Sequence, residues 1–132
     1  MEINSKTKGK YKDLRKERGS YAEDQAASYL TDKGYRIIHR NWRCRTGEID
    51  VIAELNYVII FVEVRSRSSR SLAYGTAMES VTPRKVGQVR STAAVYLHSR
   101  NRSDSPVRFD VIAVQLGPNG QIESLEHVEN AF

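Results

Sequence analysis

Apolar positions near the start of the chain recur at a helical spacing. Four of them follow the i, i+4, i+7 and i+8 pattern of a helix with one buried face: Ala22, Ala26, Tyr29 and Leu30. Ser20 precedes this stretch as a good N-cap, and Gly34 follows it as a good C-terminal stop. The pattern predicts a first helix over residues 21–33.

Strand-like segments follow, with apolar and polar residues in short alternating or continuous runs. The predicted strands are residues 35–42, 47–54, 57–65, 107–116 and, at the sheet edge, 121–126. Segment 57–65 is the most apolar, which predicts a central position in the sheet. Leu55–Asn56 is predicted to form the tight turn between the second and third strands.

A second helix is predicted to begin at Pro83, with Thr82 as its N-cap, and to end near Ser99. The serine-rich segment 66–75 between the third strand and this helix has the composition of a loop. The resulting order α-β-β-β-α-β-β predicts an α/β fold with a mixed central sheet of four to five strands flanked by helices.

The composition is that of one globular domain. The chain has 132 residues, and no apolar run approaches the ~18 residues that a membrane span needs. The first residues carry no apolar segment of the secretory type, so we expect a cytoplasmic protein with no membrane partner. Cys44 is the only cysteine, which excludes an internal disulfide and a cysteine-rich zinc site.

The positive charge is concentrated at one end of the chain. Residues 1–18 contain seven lysines and arginines against three acids, whereas the net charge of the whole chain is +5. We predict a flexible basic arm over residues 1–18 in front of a single domain over residues 19–132. Such an arm is typical of nucleic-acid binding, and a tail that aids solubility is the alternative.

Three carboxylates interrupt the apolar strands. Side chains alternate along a strand, so Glu48 and Asp50 should share a face. A turn at residues 55–56 places Glu48 opposite Glu63, and a slip of two residues would place Asp50 there instead. Either register gathers the three carboxylates and Arg65 on one face.

Clustered carboxylates repel one another, and burial of an unpaired charge costs roughly several kcal/mol. Mg²⁺ or Mn²⁺ would offset this cost, because hard divalent cations prefer carboxylate oxygens. Alternatively, Arg65 and other arginines neutralise the cluster, or the carboxylates reach solvent at the end of the sheet.

Five stretches between residues 19 and 115 match a known family in order and spacing: GSYAEDQAASYL, GYRIIHRNWRCRTGEIDVIA, VIIFVEVRSR, YGTAMESVTPRK and VRFDVIAV. The chain resembles the YraN-like family of uncharacterised bacterial proteins. That family resembles the restriction-endonuclease-like, or PD-(D/E)xK, nucleases. The combination of GEID with FVEV is the most specific part of the match.

The resemblance implies a role for particular residues. Asp50 matches the metal-binding aspartate of the motif, and Glu63 matches its second acid. The carbonyl of Val64 would be a further oxygen ligand, and Glu23 would be the additional helical acid of some of these nucleases. Arg65 occupies the position of the motif lysine. The implied cofactor is Mg²⁺ or Mn²⁺, with Glu48 as an assisting acid.

Four residues in or near this predicted site have alternative interpretations. Arg65 can bind a phosphate, but it cannot accept a proton because its pKa exceeds ~12. Lys85 would supply the missing amine, or it is an ordinary lysine of the helix surface. Glu23 would form a capping box with Ser20 if it is not a site residue. Asp110, within the fourth strand, is either the partner of an arginine or a further site residue.

Basic residues near the acids are candidates for contacts with phosphates: Arg43, Arg45, Arg67, Arg70 and Lys85. Trp42 would stack on an unpaired base or pack in the core. The leading hypothesis is a Mg²⁺-dependent nuclease-like protein that acts on DNA, including branched or otherwise structured DNA. The alternatives are a non-catalytic nucleic-acid-binding protein of the same fold and a scaffold that binds another protein.

Overall fold

The structure is a computed structural model that describes residues 2–68 and 81–132, with side chains from Lys16 onward. Its elements are α1 (Glu2–Asp32), β1 (Arg36–Cys44), β2 (Gly47–Leu55), β3 (Val58–Ser68), α2 (Pro83–Ser99), β4 (Val107–Leu116) and β5 (Ile122–Val128). The predicted order of elements is confirmed. Of the predicted loop 66–75, residues 66–68 belong to β3 and the rest lies outside the described residues.

The five strands form one sheet in the order β1-β2-β3-β4-β5, so the most apolar strand is central, as predicted. Strands β3 and β4 run parallel, and the other neighbouring pairs are antiparallel. A parallel pair needs a long crossover, and α2 lies in the connection between β3 and β4. The predicted α/β fold, a mixed sheet flanked by helices, is confirmed.

The two helices cover opposite faces of the sheet. Helix α1 buries Ala22, Ala26 and Leu30 against apolar side chains of β2, β3 and β4. Helix α2 buries Val89, Ala93 and Tyr96 against a second cluster on the other face. Burial of these side chains removes apolar area from water and holds both helices in place. Among the described residues, no helix is both long and apolar enough to cross a membrane.

The first helix is longer than its apolar pattern predicts. It begins at Glu2, so Ser20 lies inside it, and the predicted N-cap and capping box are wrong. Residues 2–18 are rich in lysine, arginine and glutamate, which have good helix propensity but leave no apolar periodicity to detect. The division into an arm over residues 1–18 and a domain over residues 19–132 stays a prediction.

The turn between β2 and β3 lies one residue later than predicted. Its two central residues are Asn56 and Tyr57, with φ angles of 50° and 69°, the left-handed conformation that suits a tight two-residue hairpin. Leu55 therefore pairs with Val58, and the ladder continues to Val51 opposite Val62. This is the slipped register, and its last pair, Val51–Val62, precedes Asp50 and Glu63 directly.

The alternation of side chains along β2 is interrupted at Asp50. Val51 packs in the cluster beneath α1, whereas Ile49, which strict alternation would place beside it, packs in the α2 cluster. On the neighbouring strand Asn41 has a φ angle of 52°, between the pairs Arg40–Val51 and Trp42–Ile49. The premise that placed Glu48 and Asp50 on one face therefore does not hold.

Candidate acid site at the ends of strands β2 and β3

Asp50 lies where the paired part of β2 and β3 ends. Its side chain is 9% exposed, and its Oδ2 accepts a hydrogen bond of 2.8 Å from the backbone N–H of Val64. The carboxylate thus satisfies a β3 donor next to the last ladder pair, Val51–Val62. No other hydrogen bond or ion pair of Asp50 is present among the described residues.

Glu63 is on β3, next to Asp50 of β2, and is 5% exposed. Its Oε1 is 3.6 Å from a terminal nitrogen of Arg65 and 3.6 Å from Nζ of Lys85. Arg65 comes from the same strand, whereas Lys85 comes from the first turn of α2. Both distances exceed those of well-formed charge-assisted hydrogen bonds, so the two cations attract Glu63 without saturating it.

Burial raises the pKa of both acids, and nearby negative charge raises them further. The pKa of Asp50 rises to about 7, first because of burial and then because of the negative charge of Glu63, against the opposing hydrogen bond from Val64. Burial also raises the pKa of Glu63, although Lys85 and Arg65 act in the opposite direction. The two carboxylates, here called the acid pair, are therefore buried with too little positive charge around them.

Glu23 approaches the acid pair from α1. It is half-buried, and burial raises the pKa of its carboxyl, which a hydrogen bond from the Asn41 side chain partly opposes. Its charge also contributes to the raised pKa of Asp50. The capping-box alternative for Glu23 is therefore wrong, and its role at the acid pair stays a prediction.

Glu48 is more exposed than the acid pair and has an ion-pair partner of its own. Its Oε2 forms an ion pair with Nε of the exposed Arg43, at 2.5 Å. The negative charge of Glu48 also raises the pKa of Glu63. Within the part of the chain that the structure describes, no three His, Cys, Asp or Glu side chains are grouped closely enough to hold a metal ion. The structure thus brings together two acids, with Glu23 and Glu48 at a greater distance.

The acid pair nevertheless fits Mg²⁺ or Mn²⁺. Mg²⁺ commonly takes one or two protein carboxylates and completes its shell with water and substrate phosphate oxygens. The uncompensated charge of Asp50 and Glu63 supplies such a donor pair. Val64 is adjacent through its N–H, and its carbonyl stays a candidate ligand.

The predicted basic residues differ in their positions. Arg45 is exposed in the turn between β1 and β2, Arg67 is half-buried near the end of β3, and Arg70 lies outside the described residues. Trp42 is partly buried and packs against the α2 cluster, with its ring 5.2 Å from that of Tyr96, which favours a packing role over stacking on a base.

Sequence reasoning missed a cavity next to the acid pair. It has a volume of about 430 Å³ and is lined by Arg65, Thr82, Arg84, Lys85 and Gln88. One signal was available, because Arg84 and Lys85 follow Pro83 in the first turn of a helix, where acidic side chains are favoured.

The matched segment of a family model contains this entire site. A model described as the uncharacterised protein family UPF0102 matches residues 22–114. The chain belongs to the UPF0102 family. This confirms the family resemblance found in the sequence, while the wider likeness to nucleases stays a prediction.

Bacterial members of UPF0102 align with nearly the whole chain. A UPF0102 protein of Pelotomaculum thermopropionicum is 46% identical over 120 residues, covering 91% of this chain and 98% of its own. A UPF0102 protein of Rhodococcus opacus is 46% identical over 86% of this chain and 94% of its own. The relative from Syntrophomonas wolfei is 40% identical over 90% of this chain and its full length.

Proposed function

We propose that this UPF0102 protein is a metal-dependent nuclease-like protein that hydrolyses phosphodiester bonds in DNA, including branched or otherwise structured DNA. The acid pair is the main support, because two buried carboxylates with raised pKa values lie next to a lysine and an arginine. The resemblance of GEID and FVEV to the PD-(D/E)xK motif is the second support.

Asp50 and Glu63 would hold Mg²⁺ or Mn²⁺, with Glu48 and Glu23 near enough to attract the ion electrostatically. A bound ion would polarise the phosphate and lower the pKa of a coordinated water. Burial of the acid pair lowers the local dielectric constant and so strengthens the charge interactions there.

Lys85 would supply the amine that the motif has and that Arg65 lacks. Arg65 keeps its proton and can only donate hydrogen bonds, for example to a phosphate oxygen. The amine of Lys85 lies 3.6 Å from Oε1 of Glu63, within reach of the acid pair. Of the two hypotheses for Lys85, this distance supports the site residue over the ordinary surface lysine.

The acid pair destabilises the fold unless a cation compensates it. Perturbed pKa values of this kind, caused by burial and like charge, are concentrated at functional sites. The basic residues Arg43, Arg45, Arg67 and Arg70 complete the proposal as contacts to a DNA backbone in a cytoplasmic protein.

The decisive experiment incubates the purified protein with Mn²⁺ and linear, nicked and branched DNA. We expect cleavage of at least one substrate by the wild type and a loss of at least ~100-fold in Asp50→Asn. Glu54→Gln is the matched control, since Glu54 lies on the same strand and pairs with Arg36 and Arg102 away from the acid pair. Equal behaviour of wild type and Asp50→Asn on every substrate would contradict the proposal.

A non-catalytic nucleic-acid-binding protein is the second candidate, and Arg65 at the motif lysine position is the observation that favours it. This function requires DNA binding that weakens with salt and responds neither to Mn²⁺ nor to Asp50→Asn. A Mn²⁺-dependent rise in melting temperature, absent from Asp50→Asn, would favour the metal-dependent protein instead.

A further inference from the structure

The cavity beside the acid pair is lined almost entirely by hydrogen-bond donors. Three of its five lining residues are cationic: Arg65, Arg84 and Lys85. Two of these, Arg65 and Lys85, also face Glu63 at 3.6 Å, so the cavity adjoins the proposed metal site. Its volume, about 430 Å³, is within the range of small-molecule sites.

Arg65 contributes a donor that no described residue uses. Its Nε is buried and has no hydrogen-bond partner, which is uncommon for a polar atom removed from water. Within residues 16–68 and 81–132, a single terminal nitrogen of the same guanidinium approaches an acid, Glu63, and at 3.6 Å this contact is long. An acceptor in the cavity would satisfy a group that is otherwise costly to bury.

Arg84 and Lys85 add positive charge where a helix already has its positive end. They occupy the first turn of α2, which contains no acidic residue, and the N-terminus of a helix disfavours cations. No carboxylate among the described residues forms an ion pair with Arg84, which is exposed. Arg84 therefore adds a positive charge that no described carboxylate balances, and a cavity lined by three cationic side chains favours an anionic ligand.

We propose that this cavity binds a phosphodiester group of the nucleic-acid strand, next to the one at the acid pair. Arg65, Arg84 and Lys85 form this phosphate clamp, and Lys85 belongs to both sites because it lines the cavity and approaches Glu63. The inference rests on the proposed function in requiring a nucleic-acid ligand, but it does not require that the protein cleaves it.

The clamp predicts how the strand is recognised. Arginine and lysine contacts to phosphate oxygens carry no base information, so binding through the clamp is independent of sequence. Each such contact releases counterions, so the affinity falls with salt concentration.

The test measures binding without metal, so that cleavage plays no part. A fluorescein-labelled single-stranded oligonucleotide of mixed sequence is titrated in EDTA and followed by fluorescence anisotropy. Arg84→Gln should weaken binding roughly tenfold, and the slope of log affinity against log salt should become shallower by ~0.7. Lys85→Gln should do the same, and Lys85→Arg should retain most of the affinity.

Arg100→Gln is the matched control, because Arg100 follows the other end of the same helix and lies beside His39. It should leave both affinity and salt slope unchanged. Wild-type affinity in Arg84→Gln would overturn the clamp, and so would an equal loss in Arg84→Gln and Arg100→Gln. Absence of wild-type binding at low salt would overturn it as well.

These outcomes are separate from those of the nuclease proposal. If Mn²⁺-dependent cleavage persists while Arg84→Gln binds like the wild type, only the clamp is wrong. If no substrate is cleaved but binding depends on Arg84 and Lys85, only the catalytic proposal is wrong.

Discussion

Two buried aspartates on strands of the same sheet have opposite surroundings. Asp110 on β4 is fully buried and receives two hydrogen bonds from Arg108, at 2.9 and 2.8 Å, and one from the backbone N–H of Asn130 at 3.1 Å. Nε2 of His127 lies 2.7 Å from the same carboxylate. Asp50 on β2 has the single N–H of Val64.

The number of donors determines the pKa of each carboxyl. Burial acts to raise the pKa of Asp110, but hydrogen bonds from His127, Arg108 and Asn130 outweigh it and hold the pKa below the usual value. The pKa of Asp50 rises to about 7, since burial and Glu63 face one opposing N–H. A satisfied carboxylate stabilises its fold, whereas an unsatisfied one is available to a ligand.

The surroundings of Asp110 connect three elements. Arg108 also donates to the hydroxyl of Tyr35 at 2.7 Å, and the second ring nitrogen of His127 lies 3.2 Å from the hydroxyl of Tyr29 on α1. The contacts join β4 to β5 and α1. Of the two interpretations of Asp110, the partner of an arginine is confirmed.

Removal of Asp110, the satisfied carboxylate, should have the largest effect on the stability of the fold. Asp110→Ala leaves Arg108 without its buried partner, and we expect a loss of about 3–5 kcal/mol in the free energy of unfolding. Urea denaturation followed by circular dichroism measures it. A loss below ~1 kcal/mol would show that the Asp110 network is not a stabilising one.

Neutralisation of Asp50, the unsatisfied carboxylate, should increase the free energy of unfolding. Asp50→Asn removes repulsion with Glu63 and keeps an oxygen for the N–H of Val64, so we expect a gain of about 2 kcal/mol at pH 8. Thermal and urea unfolding at several pH values measure this gain.

The pH dependence tests the cause of that gain. The folded pKa of Asp50, about 7, lies above the ordinary 3.8, so the ionised form costs stability, increasingly as pH rises from 3.8 and fully above 7. The advantage of Asp50→Asn should therefore shrink as pH falls from 8 towards 4. An advantage independent of pH, or a destabilised variant, would contradict the comparison.

The smallest effect is expected for a carboxylate at the protein surface. Glu54 pairs with Arg36 at 2.5 Å and with Arg102 at 3.2 Å, and these contacts lower its pKa. Water and salt screen such pairs, so Glu54→Gln should leave the melting temperature nearly unchanged at physiological ionic strength. A large decrease would mean that the number of partners, rather than burial, determines the stabilisation.

Parts of the fold that depend on local patterns were predictable. The bounds of β4 and the start of α2 at Thr82–Pro83 agree with the structure, because alternation and capping act over a few residues. The hairpin turn was predicted one residue early, since nothing local favours Tyr57 in a left-handed conformation. The N-terminal extension of α1 has no apolar stripe and was missed.

The site was predictable in its residue types but not in its full membership. Asp50 and Glu63 could be recognised because their carboxylates interrupt apolar strands, and the structure places the two residues together. The contact of Lys85 with Glu63 and the cavity beside Arg84 depend on where the first turn of α2 meets β3. Residues separated by more than 20 positions meet only through tertiary packing.

The sequence by itself determined the order of elements and the central strand, because periodicity and composition are properties of neighbouring residues. Tertiary structure decided which carboxylate is satisfied and which is not. That difference depends on donors from distant elements: Arg108, His127 and Asn130 converge on Asp110, whereas Asp50 receives one N–H and faces Glu63. Hydrogen bonds and charge repulsion act over a few ångströms in space, whatever the separation along the chain.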